Sequence, residues 1–473
     1  MNKNSLSKSV AWYGLGNIFV RALSFLLLPL YSNLLTTGSF GDYSLLMSVY
    51  AVALVIYQFG MFGALNKFFI EERSDQKKKL IFSSILNTIF IISILVTGIL
   101  WASSSVLSKV IFGSPDYASL LVILLFSILF ETLCSYIFYL LKTMELAKKA
   151  VAYSVLGAVL NLLLNILFVY YLKLSVPGII YAQLISGLIL FILLFSLIRE
   201  NYVFNIDREI LKAVIRFSVP LVAANLLTAG NNVADRFILN IISGREVVGI
   251  YSFSYRIAMI MNLFIMSFTA AWSPHSLNLY YASDYKTTFG KTLNKLVALS
   301  CILLLVVSLF APYLFKIHMF GISFFNPSYR AGIIIIPLVL TGYIFYGISS
   351  FYSVYPSVTN KTYHILISDF GAFIINIGLN ILLIPVLGML GAAFATLMGF
   401  IFAAAYLFVI SRKLIVIDYQ AKELMIIILI ALIFLFVGLN VSSLIINILL
   451  ILSYLTALNY LTDFKVNQLF KLS

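Results

Sequence analysis

The amino-acid sequence predicts an all-α polytopic membrane protein with about fourteen transmembrane helices. Of its 473 residues 62% are hydrophobic and 10% are charged, whereas soluble domains carry roughly 25% charged residues. The mean hydropathy is +1.06. A bilayer core about 30 Å thick needs about 20 apolar residues per helix, and apolar windows of that length recur along the whole chain. The distribution of basic residues then predicts which end of each window lies on the cytoplasmic side of the membrane.

Each apolar window predicts one membrane-spanning helix. The windows lie near residues 10–34, 43–66, 80–102, 117–141, 150–172, 177–198, 217–242, 249–273, 292–315, 329–355, 364–384, 389–411, 422–438 and 441–461. The last two are short and stand close together. The first shows no small-residue cleavage site after it, so it predicts an uncleaved span and not a signal peptide.

The net charge of +14 reflects membrane topology and does not indicate a nucleic-acid partner. With a cytoplasmic N-terminus, 23 Lys and Arg residues fall on the inner side and five on the outer side. The outer five are Lys109, Lys173, Arg245, Lys316 and Arg330. This bias follows the positive-inside rule and predicts that both termini are cytoplasmic. The three remaining cations lie inside spans.

The loops between the spans argue against an enzyme. The longest, 274–291 inside and 103–116 outside, are too short for a soluble catalytic domain. The tripeptide GKT at Gly290 mimics a nucleotide-binding loop, but such a loop needs a glycine five residues earlier, where Tyr285 stands. The two cysteines lie in apolar spans and have no metal-site spacing. We therefore predict no catalytic residue, no metal and no ATP hydrolysis by this chain.

Two pairs of similar segments indicate an internal duplication. NLLLNIL begins at Asn161 and NIGLNIL at Asn376, while NLLTTGSFGDYS begins at Asn33 and NIISGREVVGIYS at Asn240. The two pairs occur in the same order, at offsets of 215 and 207 residues. Spans one to six should then correspond to spans seven to twelve.

The duplication predicts the domain organisation. Because six is an even number, both halves enter the membrane from the same face, so a pseudo-twofold axis should run along the membrane normal. We predict an N-terminal six-helix bundle over 1–200, a second six-helix bundle over 201–413, and an additional helix pair with a cytoplasmic tail over 414–473.

Three predicted helices carry polar residues at steps of three and four, which place them on one helical face. They are Asn225, Thr228, Asn232, Asp235 or Arg236 and Asn240 on the seventh, Ser252, Arg256, Met259 and Asn262 on the eighth, and Asn17, Arg21 and Ser24 on the first. The Asn, Ser and Thr side chains have a structural interpretation as hydrogen bonds between helices. The arginines are harder to explain, because a charge at mid-bilayer costs about 2.5–3.5 kcal/mol even on lenient scales.

The intramembrane arginines outnumber the acids near them. Asp235 and Arg236 are adjacent and diverge by about 100° around the helix, so we expect that they do not face each other. Glu131 and Asp369 lie toward the opposite side of the membrane. Ion pairs with these acids are the structural alternative, but the excess of arginines over acids predicts a cationic cavity. Arg suits an anionic head group because its planar fork binds phosphate bidentately.

The combined pattern resembles a known family. Its features are two six-helix bundles, GDYS at 41 and GIYS at 249, an Asp before an apolar run in the seventh helix, and NxxxN in the fifth and eleventh. Over essentially the whole chain these are similar to the polysaccharide transporter branch of the multidrug/oligosaccharidyl-lipid/polysaccharide (MOP) exporter superfamily, and resemble Wzx-type O-antigen flippases. The resemblance implies translocation of undecaprenyl-pyrophosphate-linked oligosaccharide units across the bacterial inner membrane by alternating access. It also implies the polysaccharide polymerase and chain-length machinery as partners.

On this interpretation the substrate contacts come from the polar stripes, and ion coupling from the buried acids. The substrate-binding candidates are Arg21, Arg236, Arg256, Asn17, Asn225, Asn232 and Asn262. The candidates for proton or sodium coupling, unranked, are Asp235, Glu131 and Asp369. We expect no cofactor, membrane lipids as the surroundings, and no nucleic acid.

Two other functions are considered. A small-molecule or drug exporter of the same superfamily would share the fold but usually relies on an acid in the first helix, where this chain offers Arg21 and no acid. A membrane polysaccharide polymerase would need a large outer loop with catalytic residues, and the outer loops here are short and poor in charge.

Overall fold

A computed structural model describes residues 3–279, 285–319, 321–414, 421–441 and 443–461. Within these ranges the chain divides into two compact units, Met1–Val233 and Ala234–Ser473. This boundary falls inside a long helix, later than the predicted repeat boundary at residue 200. The division into three domains therefore remains a prediction from the internal repeat.

The first part of the chain consists of helices joined by short turns. The helices are α1 Lys3–Leu34, α2 Thr37–Gln58, α3 Met61–Glu71, α4 Asp75–Ala102, α5 Ser104–Phe112, α6 Ala118–Thr143, α7 Ala147–Asn165 and α8 Ser175–Ile198. A π-helical turn, Ile166–Tyr171, extends α7, and 3-10 turns lie at Pro115–Tyr117 and Arg199–Asn201. In this unit α6 packs on α4 and α8, and α1 packs on α7.

The rest of the chain is also helical. Its helices are α9 Arg208–Ser243, α10 Arg245–Leu279, α11 Tyr285–Leu314, α12 Ile336–Tyr352, α13 Val354–Val358, α14 Tyr363–Leu387, α15 Met389–Leu414, α16 Ala421–Asn440 and α17 Leu444–Leu461. A 3-10 helix, Pro327–Ile335, leads into α12. In the second unit α15 packs on α12 and α14, α10 packs on α12, and the last two helices pack on α11.

The predicted membrane spans are confirmed as helices. In the described ranges, thirteen helical segments are long and apolar enough to cross a membrane, and Leu444–Tyr460 is a shorter apolar helix. Each apolar window of the sequence corresponds to one of these segments. The chain is therefore a multi-pass membrane protein of the predicted all-α class.

Some local structure departs from the simple span pattern. The outer loop predicted over 103–116 contains α5, too short to cross a membrane, whose Ser108 hydroxyl donates to the Ser114 carbonyl at 2.5 Å. A hairpin of two-residue strands, β1 His318–Met319 and β2 Ile322–Ser323, follows α11. Windows of about 20 residues cannot detect elements this short.

The second predicted span is broken between α2 and α3. Phe59 and Gly60 both adopt left-handed backbone conformations, with φ of 47° and 65°. The Tyr136 hydroxyl of α6 donates to the Gln58 carbonyl at 2.7 Å. A side chain thus satisfies a carbonyl freed by the break, as non-helical backbone at membrane depth requires.

The connection between α8 and α9 is fastened to α4 by side-chain hydrogen bonds. Asn87 of α4 donates to the Asn205 carbonyl at 3.1 Å and accepts from the Tyr202 hydroxyl at 2.5 Å. The Val203 amide donates to the Ser83 hydroxyl at 2.9 Å. These contacts fix where α9, the helix of the seventh span, begins.

Candidate functional site

The VADRFIL segment of α9 contains a buried polar cluster. Asp235 is 2% exposed, and its carboxylate accepts a hydrogen bond from the Tyr251 hydroxyl of α10 at 2.5 Å. The Arg236 guanidinium lies 3.4 Å from the other Asp235 oxygen. An acid, a phenol and a guanidinium therefore meet within the second unit, at span depth.

The prediction that Asp235 and Arg236 do not face each other is wrong. Their Cβ atoms do diverge around the helix, but the long Arg side chain turns back toward the short Asp side chain. The guanidinium also lies over the Tyr255 ring, with its central carbon 4.8 Å from the ring centroid. That distance is within the range of a cation–π interaction.

Aromatic residues of α10 and α12 support this cluster. The hydroxyl groups of Tyr255 and Tyr343 are 3.2 Å apart. Tyr251 and Tyr255 pack one turn apart on α10, with ring centroids 5.6 Å from each other. All three rings are buried. The Tyr255 ring contacts Arg236, and the rings of Tyr251 and Tyr343 pack beside that of Tyr255.

Tyr251 and Tyr343 were not among the site residues predicted from the sequence. Tyr251 belongs to the GIYS element, which was used as a marker of the repeat and of the family resemblance and not as a site. Tyr251 lies 16 residues after Asp235, across the tight turn between α9 and α10. This spacing could have predicted that the two side chains meet between these helices. Nothing in the local sequence of Tyr343 distinguishes it from a packing aromatic.

The other candidates from the eighth helix lie near this cluster in the chain. Arg256 directly follows Tyr255 in α10 and is half-buried, and Asn262 is half-buried further along the same helix. Arg236 contacts the ring of Tyr255, the residue before Arg256 in α10. On the first-unit portion of α9, Asn225 and Asn232 have exposed side chains.

The first helix supplies the remaining cation. Arg21 is half-buried in α1, and within the described ranges no hydrogen bond or ion pair to it is found. The side chain of Asn17 lies outside the described side chains. Whether these residues and those of the second unit serve one substrate therefore stays a prediction.

The three acids proposed for ion coupling occupy different surroundings. Asp235 is engaged by Arg236 and Tyr251, as described above. Asp369, on α14, has an exposed side chain. Glu131, on α6, is half-buried and lines a partly open cavity of the first unit. The described residues contain no group of three or more His, Cys, Asp or Glu side chains that would hold a metal ion.

The NxxxN elements have the same local structure in both halves. In α7, Asn165 donates to the backbone and side-chain oxygens of Asn161 at 2.9 and 3.0 Å. In α14, Asn380 donates to the same two oxygens of Asn376 at 2.8 and 3.0 Å. In both cases the first Asn then donates to a hydroxyl of the following helix. The matching geometry supports the duplication inferred from sequence.

Comparison with known proteins agrees with this architecture. A family model described as polysaccharide biosynthesis protein matches residues 6–279. The lipid II flippase MurJ, in an inward closed conformation, shares 17% identity at a TM-score of 0.78, covering 95% of this chain and 98% of that chain. No curated protein matches this sequence.

Two other solved structures show the same fold. An inward-facing multidrug resistance MATE family transporter of the MOP superfamily shares 18% identity, with a TM-score of 0.70 over 83% of this chain and 93% of that chain. A MOP superfamily transporter from Pyrococcus furiosus shares 16% identity, with a TM-score of 0.61 over 86% and 95%. These relatives are transporters and a flippase and not enzymes, in agreement with the prediction that the chain is not an enzyme. The chain belongs to the polysaccharide biosynthesis protein family and has the fold of MOP superfamily transporters.

Proposed function

We propose that this protein is a flippase for undecaprenyl-pyrophosphate-linked oligosaccharide units of O-antigen or a related surface polysaccharide. It moves them by alternating access across the bacterial inner membrane, with both termini in the cytoplasm. The observation that carries the proposal is Arg21, a half-buried cation within an apolar span that forms no ion pair with a described residue. A charge at that depth normally faces a wet cavity or an anionic ligand.

The chemistry of the second-unit cluster agrees with an anionic ligand. Arg236 is held between the Asp235 carboxylate and the Tyr255 ring, so its orientation is restricted before substrate arrives. A preorganised guanidinium loses less entropy when it binds a pyrophosphate. The candidates for contact with the anionic head group are Arg21, Arg236 and Arg256, and the other substrate-binding candidates are Asn17, Asn225, Asn232 and Asn262.

The lipid tail explains why the site belongs in a membrane protein. A polyprenyl chain stays in the bilayer, and only the charged head group must pass through the protein. The polymerase and chain-length machinery would receive the units on the outer side. A MATE-like drug exporter, coupled to protons or sodium, is less well supported because α1 contains no acidic residue.

The proposal can be tested with the purified protein in liposomes. Lipid-linked oligosaccharide is placed in both leaflets, and an enzyme that cleaves the glycan is added outside. Without protein only the outer half should be cleaved, whereas with protein nearly all of it should become accessible. An equal cleaved fraction with and without the protein, in liposomes that still show correctly folded protein, would contradict the proposal.

A further inference from the structure

The connection between α8 and α9 turns back along α4 toward the membrane. The Glu200 carbonyl accepts from Lys79, in the first turns of α4, at 2.9 Å. Further on, the Val203 amide donates to the Ser83 hydroxyl at 2.9 Å. The apolar window of this span begins at residue 80, so Ser83 lies about 5 Å inside it at 1.5 Å per residue. The connection therefore reaches the depth at which lipid head groups meet acyl chains.

Further hydrogen bonds to α4 hold the rest of this connection. Asn87 donates to the Asn205 carbonyl at 3.1 Å. The Asp207 amide donates to the Ser84 hydroxyl at 3.0 Å. Side chains of α4 thereby satisfy backbone groups that no helix satisfies, as non-helical backbone at membrane depth requires. Phe204 stands between these fastened residues with its side chain 90% exposed, so a fixed backbone presents a large apolar group outward.

The helix that follows is too long to cross the membrane directly. α9 has 36 residues, which make about 54 Å at 1.5 Å per residue, against an apolar core of about 30 Å. Its predicted span begins at residue 217, so the turns from Arg208 to Arg216 precede the core. Because Asp207 is fastened to α4 just inside the apolar window, these turns have to run obliquely beside the membrane surface.

The first turns of α9 are amphipathic. Arg208, Lys212 and Arg216 follow one another at steps of four, which places them along one side of the helix, and all three are exposed. On the opposite side Val214 is 1% exposed. One acid, Glu209, is exposed among these three cations. The side chains of the three cations form no ion pair or hydrogen bond with any described residue.

This arrangement fits the surface of an anionic bilayer. In interfacial segments an apolar side chain enters the acyl region while nearby cations bind the phosphates of the head groups. The positive-inside rule accounts for an excess of cations on this side, but it does not account for a fully exposed Phe204 on a fastened backbone. A soluble partner would not reach a side chain at that depth.

We propose that Phe204 and the stripe Arg208, Lys212 and Arg216 form a docking surface for anionic phospholipids of the cytoplasmic leaflet. Phe204 enters the acyl region, and the three cations bind head-group phosphates. Binding of these lipids needs no lipid-linked oligosaccharide, so the surface goes beyond the proposed function and is measured separately from it.

The first measurement locates residue 204 relative to the bilayer. A nitroxide spin label is attached to Phe204→Cys, in a background in which Cys134 and Cys301 are replaced by Ser, and the protein is placed in phospholipid nanodiscs. Ser74→Cys, exposed just before α4, is the matched control. We expect the label at 204 to collide mainly with oxygen, which partitions into the bilayer, and the label at 74 mainly with a water-soluble nickel chelate. Equal collision with the nickel chelate at both positions would overturn the docking surface.

The second measurement tests the cations. Native mass spectrometry of the protein in detergent, with equal amounts of phosphatidylglycerol and phosphatidylcholine, gives the ratio of the two bound lipids. Relative to the wild type, the triple variant Arg208→Gln, Lys212→Gln, Arg216→Gln should lower this ratio by about fivefold for each cation that contacts a phosphate. The control, Lys142→Gln, Lys148→Gln, Lys149→Gln, removes the same charge from exposed positions at the turn between α6 and α7. It should keep the wild-type ratio.

Two results would contradict the role of the cations. The first is an equal fall of the ratio in both triple variants, which would show that total charge and not this stripe attracts the lipid. The second is equal binding of the two lipids by the wild type, which decides even if the Arg208, Lys212 and Arg216 variant does not fold. A protein that flips its substrate but shows either result would keep the proposed function and lose only this surface.

Discussion

At the scale of single residues, the surroundings of Arg236 combine three interactions that each restrict its side chain. The carboxylate of Asp235 attracts the guanidinium, the Tyr255 ring covers one of its faces, and the side chain is only 12% exposed, which limits competing water. Tyr251 in turn holds Asp235 through a hydrogen bond of 2.5 Å. A ligand would therefore meet a guanidinium whose position is already set.

Replacing Arg236 separates charge from geometry. Arg236→Lys keeps the positive charge but loses the planar fork, and each lost charged hydrogen bond is worth about 1.5–3 kcal/mol. We expect this variant to retain partial activity, with an apparent substrate affinity lower by about one to two decades. Arg236→Ala should lose most of its activity, because it also leaves Asp235 buried without its cation. The measurement is flipped substrate per molecule of inserted protein.

The control for this series is Arg245→Ala, which removes an exposed cation at the start of α10. It should transport at nearly the wild-type rate, since an exposed charge outside the cluster has no place in substrate binding. Normal transport by both Arg236→Ala and Arg256→Ala, at normal abundance, would show that the arginines are structural. The cationic site would then be wrong.

The residue types of this site were predictable from the sequence, and their contacts were not. Depth in the membrane and helical spacing identified Arg236, Arg256 and Asp235 as unusual. The pairing within VADRFIL was missed because it depends on a side-chain rotamer, which spacing does not determine. Tyr343 comes from α12, and its approach to Tyr255 depends on how α10 and α12 pack.

At the scale of helices and turns, the two NxxxN elements show that the repeat preserves hydrogen bonding as well as hydropathy. Each pair ties its helix to the next one through a hydrogen bond from its first Asn. Fold class and span positions were predictable because about 20 apolar residues admit few other structures in a membrane. The break after Gln58 was not, since Phe59 and Gly60 do not interrupt the apolar pattern.

The break between α2 and α3 depends on Gly60. Its φ is +65°, and an added Cβ atom would lie 2.7 Å from the Ser218 carbonyl oxygen of α9. Gly60→Ala therefore meets both backbone strain and a clash, and we expect it to lower the free energy of unfolding by about 1–3 kcal/mol. The expected result is a lower Tm of the purified protein in detergent.

Gly98→Ala is the matched control for that substitution. Gly98 lies within α4, and an added Cβ atom would meet nothing within 4 Å. Alanine is the better helix former by about 1 kcal/mol, so this variant should be as stable as the wild type or slightly more stable. If Gly60→Ala matched Gly98→Ala in Tm, the left-handed break would not be needed for the stability of the first unit.

At the scale of the whole molecule, the distribution of charge follows the order of the helices. On the predicted topology, the basic residues concentrate at the helix ends assigned to the cytoplasm. Lys79, for example, lies in the first turns of α4 and donates to the Glu200 carbonyl just after α8. This hydrogen bond links two connections that are both predicted to lie on the cytoplasmic face.

The orientation can be tested by labelling single cysteines in a background in which Cys134 and Cys301 are replaced by Ser. Ser74→Cys and Asn205→Cys place exposed thiols in two connections predicted to be cytoplasmic, and Lys109→Cys places one in the predicted outer connection. Since 23 basic residues lie on the inner side and five on the outer side, the positive-inside rule predicts one orientation. In intact cells a membrane-impermeant thiol reagent should label only Lys109→Cys, and the other two should react only after the membrane is opened. Labelling of Ser74→Cys and Asn205→Cys in intact cells, with protection of Lys109→Cys, would reverse the orientation and with it the direction of transport proposed above.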